Sequence, residues 1–174
     1  MKSKENLIFL GMMGSGKSSI GFLIAKKLKL TFVDTDKEIE NLTGLTISKI
    51  FETKGENYFR DIEEKTTLKN LKLKSAVVSL GGGAFLNKNI REKILKNHLS
   101  IWLNCNYKTL IKRIRNSNKR PLADSLADSE IIDLTRKRSK IYSKALYEIK
   151  CDNLTKNQII DRILKIYETN KIKS

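Results

Sequence analysis

At 174 residues and 19.9 kDa the chain is sized for one domain with a core of its own, 1–174, needing neither disulfides nor a structural metal. The formal charge is +16, but the lysines are spread over nearly every segment and aromatics make up only 7% of residues. That pattern disfavours a nucleic-acid arm or a single-strand stacking platform, leaves a nucleic-acid-binding module as a rival only, and suits a small anionic substrate.

Asn6 to Leu10 is a short apolar run that reads as a buried strand, and its Leu7 to Leu10 stretch is far too short for a secretion signal or a membrane span. A cytoplasmic monomer with no membrane or nucleic-acid partner is therefore expected. Directly after the run comes Gly11-Met12-Met13-Gly14-Ser15-Gly16-Lys17-Ser18, matching G-x-x-x-x-G-K-[ST] at every fixed position. A helix from Lys17 to Leu30 follows, with Ile20, Leu23, Ile24 and Leu28 on one face. Strand, glycine loop and helix in that order form a phosphate cradle: backbone N–H groups and the helix N-terminus face the anion. Gly14, Ser15, Gly16, Lys17, Ser18 and Ser19 are the candidate ATP-binding residues, with Lys17 reaching the β- and γ-phosphates and Ser18 ligating Mg²⁺.

Thr31 to Val33 is a second strand ending at Asp34, and Asp34-Thr35-Asp36 places carboxylates at i and i+2 beside the cradle. One can hold Mg²⁺ through water and the other can take a proton from an attacking hydroxyl; Asp36 could alternatively cap the next helix. Helical segments run from Asp36 to Leu73 with breaks near Gly44 and Gly55. Ala76 to Leu80 is a third strand closed by Gly81-Gly82-Gly83. It carries no terminal carboxylate, which argues against a large ATPase motor, and no Asn-Lys-x-Asp motif follows, which argues against a Ras-type GTPase.

A helix from Asn87 to Asn97, a fourth strand from Leu99 to Leu103 and a helix carrying Leu110, Ile111 and Ile114 come next. Asn116 to Ser129 is polar and aperiodic and reads as a mobile loop. A longer helix is expected to turn Ile131, Leu134, Ile141, Ala145 and Leu146 inward. Tyr147 to Cys151 makes a fifth strand, and the capping box Thr155-x-x-Gln158 opens the last helix. Strands alternating with crossover helices predict an α/β fold, a three-layer α/β/α sandwich on a five-stranded parallel sheet. Cys105 and Cys151 read as core thiols and His98 as structural.

The ordered set of motifs resembles shikimate kinase along essentially the whole chain. It comprises the Gly-Met-Met-Gly P-loop opening, Asp34-Thr35-Asp36, Phe51-x-x-x-Gly55-Glu56-x-x-Phe59-Arg60, Gly81-Gly82-Gly83, Arg120-Pro121-Leu122, and Arg138 four residues before Tyr142. The resemblance implies a nucleoside-monophosphate-kinase-like P-loop fold, with a substrate-binding helical segment at about 36–62 and a lid at about 116–129. It implies phosphorylation of the 3-hydroxyl of shikimate by ATP with Mg²⁺ as cofactor. Asp36 would bind the substrate hydroxyls and act as base, and Asp34 would hold the Mg²⁺ water shell. Arg60 and Arg138 would clamp the substrate carboxylate, a task suited to a planar, permanently charged fork. Gly81, Gly82 and Gly83 would line the ring, the catalytic Arg120 would close on the phosphates, and Arg113 would stack on adenine beside a loop at Asp152 to Lys156. The chain departs from the usual pattern at Asp61, where the family has Glu, and at Lys140, where a proline is common. A gluconate kinase-like enzyme is the near alternative.

Overall fold

A computed structural model describes residues 6–116 and 126–172. Among these residues five strands alternate with seven helices: β1 Leu7–Leu10, α1 Lys17–Leu28, β2 Thr31–Asp34, α2 Thr35–Thr43, α3 Ile47–Asn70, β3 Ala76–Ser79, α4 Lys88–Asn97, β4 Leu99–Asn104, α5 Tyr107–Arg115, α6 Asp128–Tyr142, β5 Tyr147–Lys150 and α7 Lys156–Ile172. A 3₁₀ turn, Ala84–Leu86, lies between β3 and α4.

The strands form one parallel sheet in the order β2-β3-β1-β4-β5, between two layers of helices. β1, β3 and nearly all of β4 are buried, while the edge strands β2 and β5 are partly exposed, as a sheet covered on both faces requires. The chain leaves β1 toward β2 on one side and leaves β3 toward β4 on the other. The crevice between the carboxyl ends of β1 and β3 is therefore the switch point where α/β sheets hold ligands.

Leu7, Ile8, Phe9 and Leu10 are each at most 1% exposed. Burying each of these side chains contributes roughly 1.5–3 kcal/mol. Asn6, also buried, extends β1 by side chain: its amide donates to the Leu71 and Leu73 carbonyls at 3.3 and 2.6 Å, and its Oδ1 accepts from Ala76 N at 2.9 Å. Ile39, Ile50 and Phe59 form a separate small core joining α2 to α3.

Both expected helix breaks are present. Gly44 closes α2 in the left-handed region at φ 67°, and Gly55 kinks α3 at φ 80°, ψ 171°. The Thr155–Gln158 capping box forms in both directions, at 2.8 and 3.3 Å. Two expectations need correcting. Asp128 and Ser129 belong to α6 rather than to the polar loop, and α6 ends at Tyr142, so Ala145 and Leu146 are not helical. Leu146 is 44% exposed, because the turn into β5 points it outward. Residues 117–125 of the expected lid, Arg120, Pro121 and Leu122 among them, lie outside the described residues.

Gly55 sits in a backbone region open only to glycine, although nothing within 4 Å would obstruct a Cβ there. Gly55→Ala is thus expected to destabilise by about 1–3 kcal/mol through the backbone alone, read as a fall in thermal midpoint with unchanged far-UV circular dichroism. An unshifted midpoint would refute the assignment of strain at the kink.

Candidate active site

The loop from Gly11 to Ser18 wraps on itself. Gly16, at φ 94°, is the N-cap of α1, and Ile20 N donates to its carbonyl at 2.9 Å. Gly11, at φ 142°, would put a Cβ 2.7 Å from the Leu103 carbonyl, so only glycine permits the loop to pass so close to β4. Lys17, 7% exposed, lies back over the loop and donates from Nζ to the Gly11 and Met12 carbonyls at 2.9 Å each. Ser15 is buried, Ser18 half-buried and Ser19 exposed. Arg113 reaches in from α5 and donates to the Gly14 carbonyl at 3.2 Å.

Across the crevice, Asp34 ends β2 in register with Ser79 of β3. Asp34, not Asp36, caps α2: its Oδ1 accepts from Asp36 N and Lys37 N at 3.2 and 3.4 Å. Asp36 is thereby released from capping. The fully buried Thr35 between them joins the two motifs. Its hydroxyl accepts from Gly81 N at 2.8 Å and donates to the Ser79 carbonyl at 3.3 Å.

The three glycines show what gathers around them. A Cβ on Gly81 would collide with the Asp36 carboxylate and stand 3.0 Å from Glu63 Oε1; one on Gly83 would collide with the Arg60 guanidinium. A Cβ on Gly82 would lie 3.3 Å from Arg138 Nη1, 3.7 Å from Met13 N and 3.9 Å from the Gly11 carbonyl. That carbonyl is the one Lys17 grips. Asp36, Arg60, Arg138 and Lys17 therefore meet at one place, on the carboxyl edge of the sheet.

Each cation is held from behind. Arg60 pairs with Glu63 at 2.7 Å and with Glu56 at 3.1 Å. Its guanidinium lies 5.2 Å from the Phe59 ring centre and 6.0 Å from that of Phe51, and those two rings pack at 4.6 Å. The spaced motif around Gly55 thus builds the seat of Arg60. Arg138 leans on Met12 Sδ at 4.0 Å, and its buried Nε has no acceptor among the described residues. One turn on, the Tyr142 hydroxyl donates to the Gly82 carbonyl, and burial pushes its pKa up to about 12, keeping it a neutral donor.

Glu63 is the charged group that sequence reading missed. It is 2% exposed, and burial raises its carboxyl above the ordinary range while Arg60 opposes the shift. Its Oε1 faces Gly81 with no donor among the described residues. The i,i+3 spacing from Arg60 was its only signal. Ser18 and Asp34 line one groove of about 640 Å³ with Phe22, Phe32 and Lys37.

Fold and loop together define a P-loop phosphotransferase, with two arginines against the glycine turn beside the loop. A family model for shikimate kinase matches residues 13–168. The shikimate kinases of Persephonella marina and Rhizobium meliloti are 40% and 38% identical, each across 92% of this chain and over 97% and 84% of their own lengths. A solved shikimate kinase from Acinetobacter baumannii, in complex with shikimate, superposes with a TM-score of 0.89 at 30% identity, covering 97% of this chain and 95% of that one. A gluconokinase from Sinorhizobium meliloti, at TM-score 0.60 and 16% identity with 100% and 99% coverage, shares the fold alone. The chain belongs to the shikimate kinase family.

Thr35→Val keeps the shape of the side chain but strands the buried Gly81 N–H. A loss of about 1–3 kcal/mol is expected in urea unfolding, with Thr35→Ser restoring most of it. Equal stability of the valine and wild-type chains would mean that Thr35 does not tie the two motifs.

Proposed function

We propose that this chain transfers the γ-phosphate of ATP to the 3-hydroxyl of shikimate, giving shikimate 3-phosphate, ADP and a proton. One observation carries the reading: Asp36, Arg60 and Arg138 converge on the glycine turn beside the carbonyl that Lys17 holds. The shikimate bound in the Acinetobacter baumannii relative supports the choice of acceptor.

ATP lies on the loop with Gly14, Ser15, Gly16, Lys17, Ser18 and Ser19 around its phosphates and Arg113 against its adenine. Shikimate lies over Gly81, Gly82 and Gly83, walled by the helical segment at 36–62. Its carboxylate is clamped by Arg60 and Arg138; the open Nε of Arg138 supplies a buried donor for it. Asp36 accepts from the 3-hydroxyl, orients it for in-line attack and takes its proton. The open oxygen of Glu63 accepts from a second polar group of the acceptor. Lys17 loosens from its two carbonyls to follow the transferring phosphoryl oxygens, and Arg120 joins it there.

Mg²⁺ fits the donors present: Ser18 and Asp34 offer hard oxygens on one groove, and the capping duty of Asp34 leaves it suited to hold the ion through water. When bound, the ion neutralises phosphate charge. The chain works in the cytoplasm as a monomer without membrane or nucleic-acid partners; no helix among the described residues is long and apolar enough to cross a membrane.

A coupled ADP-release assay with shikimate, quinate and gluconate tests the reading. Shikimate should be turned over far better than the other two, and preference for gluconate would replace it. Asp36→Ala should lower kcat about 10²–10⁴-fold with ADP affinity kept. Arg60→Ala and Arg138→Ala should each raise KM for shikimate by roughly 10–150-fold, the equivalent of losing about 1.5–3 kcal/mol of charge-assisted bonding. Near-wild-type values in all three would remove these residues from the site.

A further inference from the structure

The two cysteines play no part in the reaction above, yet they meet beneath the nucleotide loop. Cys105 stands one residue past the end of β4 and Cys151 one past the end of β5, next in line after the paired Asn104 and Lys150. Cys151 N donates to the Asn104 carbonyl at 2.8 Å, so the two strands stay in register at this point. Neighbouring strands lie about 4.8 Å apart, within the 4.4–6.8 Å separation of Cα atoms that a disulfide spans. Both thiols are free and 3% exposed, and the Cys151 Sγ donates to the Ile149 carbonyl at 3.2 Å.

Cys105 is also tied to the phosphate cradle. Its Sγ donates to the Ser15 carbonyl at 3.7 Å, and Arg113, which holds the Gly14 carbonyl, donates to the same sulfur at 3.6 Å. We propose that Cys105 and Cys151 are a reversible dithiol–disulfide site, oxidised by a hydroperoxide, whose closure weakens nucleotide binding on the loop above it.

The geometry assigns different parts to the two sulfurs. The neighbouring Cys151 thiol and, against the effect of burial, the charge of Arg113, whose Nη1 reaches the sulfur at 3.6 Å, hold the Cys105 thiol below the usual thiol range. The neighbouring Cys105 and burial push Cys151 up. Cys105 is therefore the attacking thiolate and Cys151 the resolving thiol. The Cys105 thiolate attacks one peroxide oxygen, the O–O bond breaks, and the departing oxygen leaves as water or alcohol after taking a proton. The Cys151 sulfur then attacks the resulting sulfenic acid; the S–O bond breaks, water leaves with the remaining proton, and the S–S bond forms. Two thiols are oxidised and one hydroperoxide is reduced.

Once bridged, Cys105 has no hydrogen to give the Ser15 carbonyl, and its sulfur is drawn toward β5, away from Arg113. Both changes bear on the Gly14–Ser15 backbone. Hydrogen peroxide is small and uncharged, and the pair lies at the sheet's carboxyl edge, just before the exposed Asp152 and Asn153. The nucleotide half of the inference rests on reading the loop as the ATP site; the covalent half does not.

The test treats the reduced full chain with hydrogen peroxide, then measures intact mass, free thiols and ADP affinity by calorimetry, before and after dithiothreitol. The expected result is a mass lower by two hydrogens, no free thiol, and ADP binding about fivefold weaker, as the loss of one weak hydrogen bond implies, all reversed by the reductant. Cys105→Ser and Cys151→Ser, either of which suffices if the other folds poorly, should show no such mass and no reversible change in affinity. Oxygen added to Cys105 with Cys151 still free, or two thiols surviving, would overturn the disulfide. Unchanged ADP affinity in the bridged chain would overturn its coupling to the loop. Failure of the reduced chain to bind ADP at all would instead overturn the ATP-site reading and leave the mass result standing.

Discussion

Everything at the site depends on how closely backbone can come to charged side chains at Gly81, Gly82 and Gly83. These residues leave β3 where the sheet opens toward the phosphate cradle, and they are approached by a carboxylate from α2, a guanidinium from α3 and another from α6. A methyl group on the first or third would occupy space that Asp36 or Arg60 already fills. The glycine turn acts as the floor on which three separate elements converge. Thr35 and Tyr142 fasten that floor from opposite sides, through Gly81 N and the Gly82 carbonyl.

The charges are arranged in unequal pairs. Arg60 is neutralised by Glu56 and Glu63, and the aromatic pair Phe51–Phe59 fixes its plane. Among the described residues, Arg138 has sulfur, a phenol and a buried, open Nε around it instead of a matching carboxylate contact. A buried donor without an acceptor is costly, on the order of 1–3 kcal/mol, and a carboxylate-bearing ligand removes that cost. Such an arrangement stores preference for an anion at a fixed distance from the phosphate loop, and the +16 charge of the chain draws anions toward it.

Much of this was legible from residue order. The P-loop, both glycine helix breaks, the capping box and the five-strand alternation depend on local chemistry, so their signals are local. The convergence of Asp36, Arg60 and Arg138 was readable only through the resemblance, since no periodicity relates residues so far apart in sequence. What escaped depends on tertiary contact. Thr35 looks like a spacer until the register of β2 with β3 sets its hydroxyl beside Gly81. Glu63 looks like one of many surface carboxylates until the kink at Gly55 turns its half of α3 against the glycines. The capping duty of Asp34 was not anticipated and the burial of Leu146 was misread, because a cap and a helix end are decided by backbone geometry within one or two residues.

The central claim is that two guanidinium groups at the glycine turn recognise the acceptor by its carboxylate. Titration calorimetry of the unmodified chain with shikimate and with its uncharged methyl ester, both in the presence of ADP, tests it most directly. The ester should bind at least about tenfold more weakly than the acid, the share of affinity one charge-assisted contact supplies. Equal affinity for acid and ester would contradict the account.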